Sequence, residues 1–247
     1  MNAPARAVLR TETRLFLREP GALFWIMAFP VLLLVILGSI PSFREPHADL
    51  GGQRVIDLYV PVTILLAAIM ASVQAMPAVL SAYREQGVLR RVATTPARPW
   101  HLLAAQYVLH GGAVMIGATA VLVVGRIAFD VRIPGSAAPY LIVLALALIA
   151  LLAAGGLLCG LARSTKASAA LSTVVAFPMM FTAGVWLPVA TMPGLLRDIV
   201  ELTPLGAASA ALGQATLGSW PDVGHVGVLV VWTLVLGALA ARYFRWE

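Results

Sequence analysis

The run Leu141-Ile142-Val143-Leu144-Ala145-Leu146-Ala147-Leu148-Ile149 decides the architecture of this chain. It is apolar on every side, whichever period its residues are laid out on. A strand of a lipid-exposed barrel would alternate apolar and polar over about ten residues. A helix crossing a hydrocarbon layer of about 30 Å needs about 20 apolar residues and no polar face. Working outward, the same texture recurs at 22–40, 58–80, 102–125, 140–161, 168–187 and 223–241. Of 247 residues, 60% are hydrophobic and 11% charged, with a mean hydropathy of +0.91. A soluble domain carries about 25% charged residues to keep its surface wet. This chain cannot do so, which excludes a cytosolic enzyme, a nucleic-acid reader and a disordered regulator. The expected fold is an all-α membrane protein of six transmembrane helices.

The isoelectric point near 10.2 invites a nucleic-acid reading, but in a membrane chain excess Lys and Arg report orientation. With the N-terminus in the cytoplasm, twelve basic residues fall inside: Arg6, Arg10, Arg14, Arg18, Arg84, Arg90, Arg91, Arg98, Arg163, Lys166, Arg242 and Arg245. Five fall outside, Arg44, Arg54, Arg126, Arg132 and Arg197, which accounts for all seventeen. Asp198, Glu201 and Asp222 also fall outside. The expectation is a multi-pass membrane protein with both termini cytoplasmic and no nucleic-acid partner. The basic start and the Gly38-Ser39 pair resemble a signal peptide, but the apolar run is too long and five more follow. Arg6, Arg10, Arg14 and Arg18 recur every fourth residue and share a helical face. Val8, Leu9, Leu15 and Phe16 lie largely opposite, with Glu12 interrupting them. Residues 1–21 therefore read as an amphipathic helix along the inner leaflet, or more plainly as a basic tail that sets topology. Pro30, Pro77 and Pro178 fall within or near spans and are expected to bend them.

Recognisable chemistry is missing. There is no G-x-x-x-x-G-K-[ST] phosphate cradle, and the single lysine is Lys166. His47, His101, His110 and His225 are scattered; His110, inside a span, reads as a structural hydrogen-bond partner. Cys159 reads as a small core residue. The spans hold no carboxylate at mid-depth, against a self-powered proton carrier. Two polar features remain. The loop at 81–100 carries Tyr83-Arg84-Glu85-Gln86-Gly87-Val88-Leu89-Arg90-Arg91 and starts as a charged helix. It either docks on a soluble partner or only sets topology. The segment 188–220, with Pro188, Pro193, Pro204 and Gly206, is too broken to span. It is expected to be a re-entrant helical hairpin between spans five and six, a form tolerated at membrane depth where protein buries it.

Three passages together resemble the ATP-binding-cassette type-2 permease family, the membrane half of many bacterial exporters. The first is Arg14-Leu15-Phe16-Leu17-Arg18-Glu19-Pro20 with Leu23-Phe24-Trp25 and Phe29-Pro30. The second is Arg84-Glu85-Gln86-Gly87-Val88-Leu89-Arg90-Arg91 with Thr94-Thr95-Pro96 and Trp100. The third is Gly184-Val185-Trp186-Leu187-Pro188 with Met192-Pro193-Gly194 and Thr203-Pro204-Leu205-Gly206. Many members carry an acidic residue or glycine where this chain has Gln86. The resemblance implies a permease subunit that binds no cofactor itself. A separate ABC ATPase holds ATP and Mg, and a second permease completes a homodimer or mixed pair. Docking to the ATPase would fall to Arg14, Arg18, Glu19, Tyr83, Arg84, Glu85, Gln86, Gly87, Leu89, Arg90 and Arg91.

In that family the second and fifth spans face each other across the dimer axis. Thr63, Ala67, Met70 and Gln74 share one helical face and Thr173, Phe177, Met180 and Gly184 another, so both stripes are candidates for a pathway. Ordinary helix packing collects the same residue types. Short outer loops favour a small amphipathic, drug-like or lipid-like cargo, with a lipid-linked or polysaccharide cargo as the alternative. A nucleotide-independent scaffold or channel is a further alternative. An intramembrane transferase would need converging His, Asp or Glu, which the sequence lacks.

Overall fold

A computed structural model describes residues 3–94, 99–162 and 164–243. Thr95, Pro96, Arg98, Arg163, Arg245 and the side chain of Arg90 lie outside the described residues. Six helices are long and apolar enough to cross a membrane: Pro20–Gly38, Val55–Glu85, Trp100–Phe129, Ala137–Leu161, Thr165–Ala183 and Val223–Tyr243, here spans one to six. An N-terminal helix, Ala3–Phe16, precedes them and packs along span three. Two short helices, Gly194–Glu201 and Pro204–Thr216, separate spans five and six.

Similar apolar runs serve different surroundings. Span two is 83% buried and span four 67%, whereas spans one and five are each 22% buried and span six 17%. Spans two and four are apolar all round because protein encloses them; the outer three are so because most of their surface is left for lipid. Span six packs along span four, and span five along span two.

Spans one and two share a device. Each widens into a π turn, Phe24–Ala28 and Met70–Ala75, just ahead of Pro30 and Pro77. Proline has no N–H to give the carbonyl one turn back, and its ring crowds that carbonyl. The looser turn absorbs both effects: the Phe29 N–H bonds Phe24 O and the Met76 N–H bonds Ala71 O, five residues back in each case. Pro178 sits instead within the α-helix of span five.

Span five stops at Ala183, short of the expected 187. Gly184 takes a left-handed φ of 92°, and its N–H satisfies carbonyls of the last turn. A short 3-10 turn, Val189–Thr191, leads into the first hairpin helix. Thr203 caps the second, accepting from the Gly206 N–H at 3.1 Å and donating to Val200 O at 2.7 Å. A Cβ on Gly206 would lie 1.9 Å from Val200 O, so only glycine lets the two helices close this tightly. At the tip, Trp232 Nε1 of span six donates to Leu202 O at 2.9 Å. At the far end, the Gly135 N–H, from the linker between spans three and four, donates to Thr216 O at 3.4 Å. The turn between the two helices thus lies beside the middle of span six, and the end of the second helix lies beside the linker after span three. Its second helix is buried against spans two, four, five and six.

On the face opposite the N-terminus, the linker between spans one and two pairs Pro46–His47 with Gln53–Arg54 as a two-residue antiparallel ladder. There Arg54 grips Asp57 in a bidentate pair, Nε to Oδ2 at 2.8 Å and Nη2 to Oδ1 at 2.9 Å. It also donates to the carbonyls ending span three, Phe129 O at 3.2 Å and Asp130 O at 2.7 Å. The buried Asp57 accepts the Arg132 N–H at 3.1 Å.

Candidate coupling site

Span two ends at Glu85, Gly87 turns left-handed at φ 68°, and a loop helix runs over Val88–Ala93. The residues around this turn point in different directions. Arg84 turns inward: its Nη1 donates to Cys159 O at 2.9 Å and to Ala162 O at 2.6 Å. Those carbonyls end span four, where a helix presents unsatisfied acceptors and the negative end of its dipole. Glu85 does the converse for span five. Its carboxylate accepts the Thr165 N–H at 2.8 Å and the Thr165 hydroxyl at 3.0 Å, at the start of that helix. Ser164 completes the cap by accepting the Ala167 N–H at 3.1 Å. One dipeptide therefore clamps the turn between spans four and five from both sides.

The N-terminal helix is tied to the same region. Glu12 is its one buried side chain, 6% exposed. Its Oε2 accepts from the Tyr83 hydroxyl at 3.0 Å and from Gln106 Nε2 at 2.6 Å. Burial pushes the Glu12 carboxyl above the ordinary carboxylate range, and the bonds from Tyr83 and Gln106 only partly offset this. Val8 and Phe16 flank Glu12 on the packed side. Phe16 meets His110 edge-on at 5.1 Å. His110 Nδ1 lies 2.9 Å from Gln106 O, so that nitrogen carries the proton.

These contacts correct several expectations. Arg84 is spent on span four, Glu85 on span five and Tyr83 on Glu12. Leu89, at 4% exposed, packs into the core. Each of the four has an internal role in the turn, and of them Glu85 is still exposed. Gln86, Arg91, Arg14, Arg18 and Glu19 remain exposed, with Arg91 Nη2 donating to Gln86 O at 2.9 Å. Leu15 is 43% exposed rather than packed on the apolar side.

The two pathway stripes do not face a common space. Thr63 and Ala67 are wholly buried and Met70 nearly so, enclosed by the other spans. The Thr63 hydroxyl is occupied by Val60 O at 2.9 Å. Met70 opens the π turn Met70–Ala75, and Gln74 lies within it, half-buried. On span five, Thr173 and Phe177 point away from the subunit, the latter 64% exposed and packed on Trp186 at 4.9 Å. Met180 is half-buried, and Gly184 caps the helix instead of continuing the stripe. Pro188 and Gly206 are buried and Pro204 half-buried, while Pro193 is exposed.

The structure adds a pocket that spacing did not reveal. It holds about 180 Å³ between span two, the hairpin and the linker after span three, on the face opposite the N-terminus. Asp57, Pro61, Arg132, Pro188, Glu201 and Ser209 line it. Arg197 and His225 both bind Glu201, at 2.7 and 3.1 Å. Among the described residues, no three His, Cys, Asp or Glu side chains converge as a metal site would require.

Residues 5–215 match the ABC-2 type transporter family. The chain belongs to that family. It is a multi-pass membrane protein and the permease type of subunit in an ABC transporter, a class associated with a cytoplasmic ATPase and the lipid bilayer. No curated relative matches the chain. For an ABC-2 permease, the turn after span two carries the greatest interest, since the N-terminal helix and spans two, three, four and five meet around it.

Proposed function

We propose that this ABC-2 permease exports small amphipathic, drug-like or lipid-like molecules from a bacterial cell, driven by ATP that a separate ABC ATPase subunit binds with Mg. The N-terminal face is cytoplasmic. The N-terminal helix lies along the inner leaflet with its exposed arginines toward lipid phosphates, and the hairpin between spans five and six is re-entrant. A second permease, identical or related, covers the exposed apolar side of span five around Val174 and Phe177.

One observation carries this reading. The turn after span two is bonded at once to the N-terminal helix through Tyr83–Glu12, to the end of span four through Arg84 and to the start of span five through Glu85. A push on Gln86, Gly87 and Arg91 is therefore delivered to three further elements at once. A subunit without a nucleotide site needs such a lever, because its work arrives from outside. Coupling follows if the ATPase grips that surface differently in its two states. Arg14, Arg18 and Glu19 extend the surface onto the end of the N-terminal helix. The pocket beside the hairpin sits where released cargo would leave.

Reconstitution with the ABC ATPase that co-purifies tests this. Arg91→Glu with Gln86→Glu is expected to abolish ATPase binding while the permease still inserts; unchanged binding removes the docking assignment. Cysteine labelling is expected from outside at Ser42 and from inside at Thr94, and the reverse pattern overturns the topology. Translocation in liposomes with no ATPase and no nucleotide would overturn the whole reading.

A further inference from the structure

The cavity on the face opposite the N-terminus, about 180 Å³, is walled by residues far apart in the chain. Asp57 comes from span two, Arg132 from the linker after span three, and Arg197 and Glu201 from the first hairpin helix. Ser209, Gly213 and Gln214 come from the second. That helix ends at Thr216, whose carbonyl meets the linker at Gly135. Ser209 lies seven residues back, about 10 Å deeper along the helix axis. The cavity thus runs inward from the linker to a hydroxyl.

Its carboxylates are already taken. Asp57 accepts Nε and Nη2 of Arg54 and the Arg132 N–H. Glu201 accepts Arg197 Nε on one oxygen and His225 Nε2 on the other. The side-chain carbonyl of Gln214 takes the Asp222 N–H at 2.8 Å. Donors are left over. The Arg132 guanidinium, exposed at the rim, has no partner among the described residues. Arg197 keeps both Nη groups and Gln214 its amide N–H groups. With Asp57 answered by Arg54 and Glu201 by Arg197, Arg132 is a surplus cation.

Ser209 points the same way from inside. A buried helical serine or threonine ordinarily folds its hydroxyl back onto the carbonyl one turn earlier. Thr216, on the same helix and equally buried at 8% exposed, does so, donating to Leu212 O at 2.8 Å. Ser209, also 8% exposed, makes no hydrogen bond among the described residues. Its oxygen is not sealed in protein as those of Ser72 and Ser172 are, so it opens on the cavity it lines. A buried hydroxyl left unpaired is costly, and a partner in the cavity removes that cost.

We propose that this cavity binds a small oxyanion, carboxylate or phosphate, through Arg132, Arg197, Gln214 and Ser209. Its volume equals about six molecules of liquid water and falls below the ~300–1,000 Å³ of whole-ligand pockets. It therefore takes the charged end of a molecule and leaves the remainder outside. A free solute and a phospholipid headgroup present the same chemistry to these donors. The site uses neither the ATPase nor a direction of transport, so it can fail while the exporter reading stands, and the reverse.

The test follows arginine modification by phenylglyoxal, mapped by mass spectrometry, on the full chain in a non-ionic detergent. Glycerol phosphate and butyrate are titrated separately against chloride at matched ionic strength. Arg132 and Arg197 are expected to become protected at concentrations that leave Arg44, exposed on the same face, reactive. A parallel arm compares nanodiscs of phosphatidylcholine with and without phosphatidylglycerol, with no solute added. Protection by the soluble anions assigns a free solute, and protection by phosphatidylglycerol alone assigns the headgroup. Protection by none of them, or equal protection of Arg44, overturns the site. Ser209→Ala should raise the half-protecting concentration about tenfold, the worth of one hydrogen bond to a charged group. Arg132→Gln keeps the backbone bond to Asp57 and should weaken protection read at Arg197. A Cβ at Gly213 meets nothing within 4 Å, so Gly213→Leu grows into the cavity and should abolish protection. Ala210→Leu, on the same lining, gives that reading if Gly213→Leu fails to insert. Protection that survives Ser209→Ala and the filled cavity alike overturns the assignment.

Discussion

Arg54 and Arg84 hold helix ends at opposite faces of the bundle, and they are built differently. Each donates to the final carbonyls of a span, Arg54 to span three and Arg84 to span four. Arg54 brings its own counter-charge in the buried Asp57, which also fixes the backbone of Arg132. The result is a closed knot of three segments on the face away from the N-terminus. Arg84 works beside Glu85, whose carboxylate is turned away to cap span five. The first arrangement locks. The second distributes, since moving one dipeptide displaces the ends of two spans in opposite electrostatic senses. A transporter needs both: one end of the bundle that keeps its register and one that passes on a displacement.

Breaking the knot should cost the most. Asp57→Ala leaves the half-buried Arg54 guanidinium beside carbonyls without its counter-charge. Solvent screens part of this charge, so the cost should fall below the ~3–5 kcal/mol of breaking a fully buried pair. A large drop in the thermal unfolding midpoint of the purified permease is expected. Arg54→Ala combined with Asp57→Ala should cost less than the sum of the two, because the stranded charge is gone. Additive losses would show that the pair is not a unit.

Arg84→Ala should come second in stability and first in function. It strands the carbonyls of Cys159 and Ala162, for about 1–3 kcal/mol. If the N-terminal face transmits displacement, transport should fall far more than ATPase binding does, because the docking surface at Arg91 is left in place. A parallel loss of both would make Arg84 merely structural. Glu85→Ala removes a helix cap worth about 1 kcal/mol. Its expected signature is faster hydrogen exchange confined to the first turn of span five, with span four unchanged.

The six spans were legible because a lipid-crossing helix has no competing sequence pattern, and the run from Leu141 to Ile149 has no polar residue to misplace. What the sequence hid was the environment of each span. Span two reads like span six but is enclosed by protein, so the stripe through Thr63 and Ala67 is buried within the subunit, which spacing could not show. The π turn that starts at Met70 also left no mark in the spacing except Pro77 seven residues on. Arg84 and Glu85 read as a surface motif because local sequence cannot say that the turn between two later spans comes to meet them. Glu12 was visible, a carboxylate on the apolar side of an arginine-rich helix. It looked like an imperfection in amphipathicity when it was the anchor of that helix.

That anchor yields the smallest effect and the most specific test of the N-terminal face. The Glu12 carboxyl titrates above its ordinary value of 4.5 in the docked helix because burial disfavours its charge. The docked state therefore binds the proton more tightly than the undocked one. Docking is strongest below about pH 4.5 and weakens as pH rises through the raised value. A spin label at Arg10→Cys, on the exposed side of the N-terminal helix, should be more mobile at pH 8 than at pH 5; Cys159 is buried and will not compete for label. Glu12→Gln keeps an acceptor for Tyr83 and Gln106 without the titration, so its label mobility should be the same at both values. Equal mobility in the unmodified helix would mean that the bonds to Tyr83 and Gln106 fully offset burial. The N-terminal helix would then be fastened as firmly as the knot at Arg54, and the contrast between the two faces would rest on Arg84 and Glu85 alone.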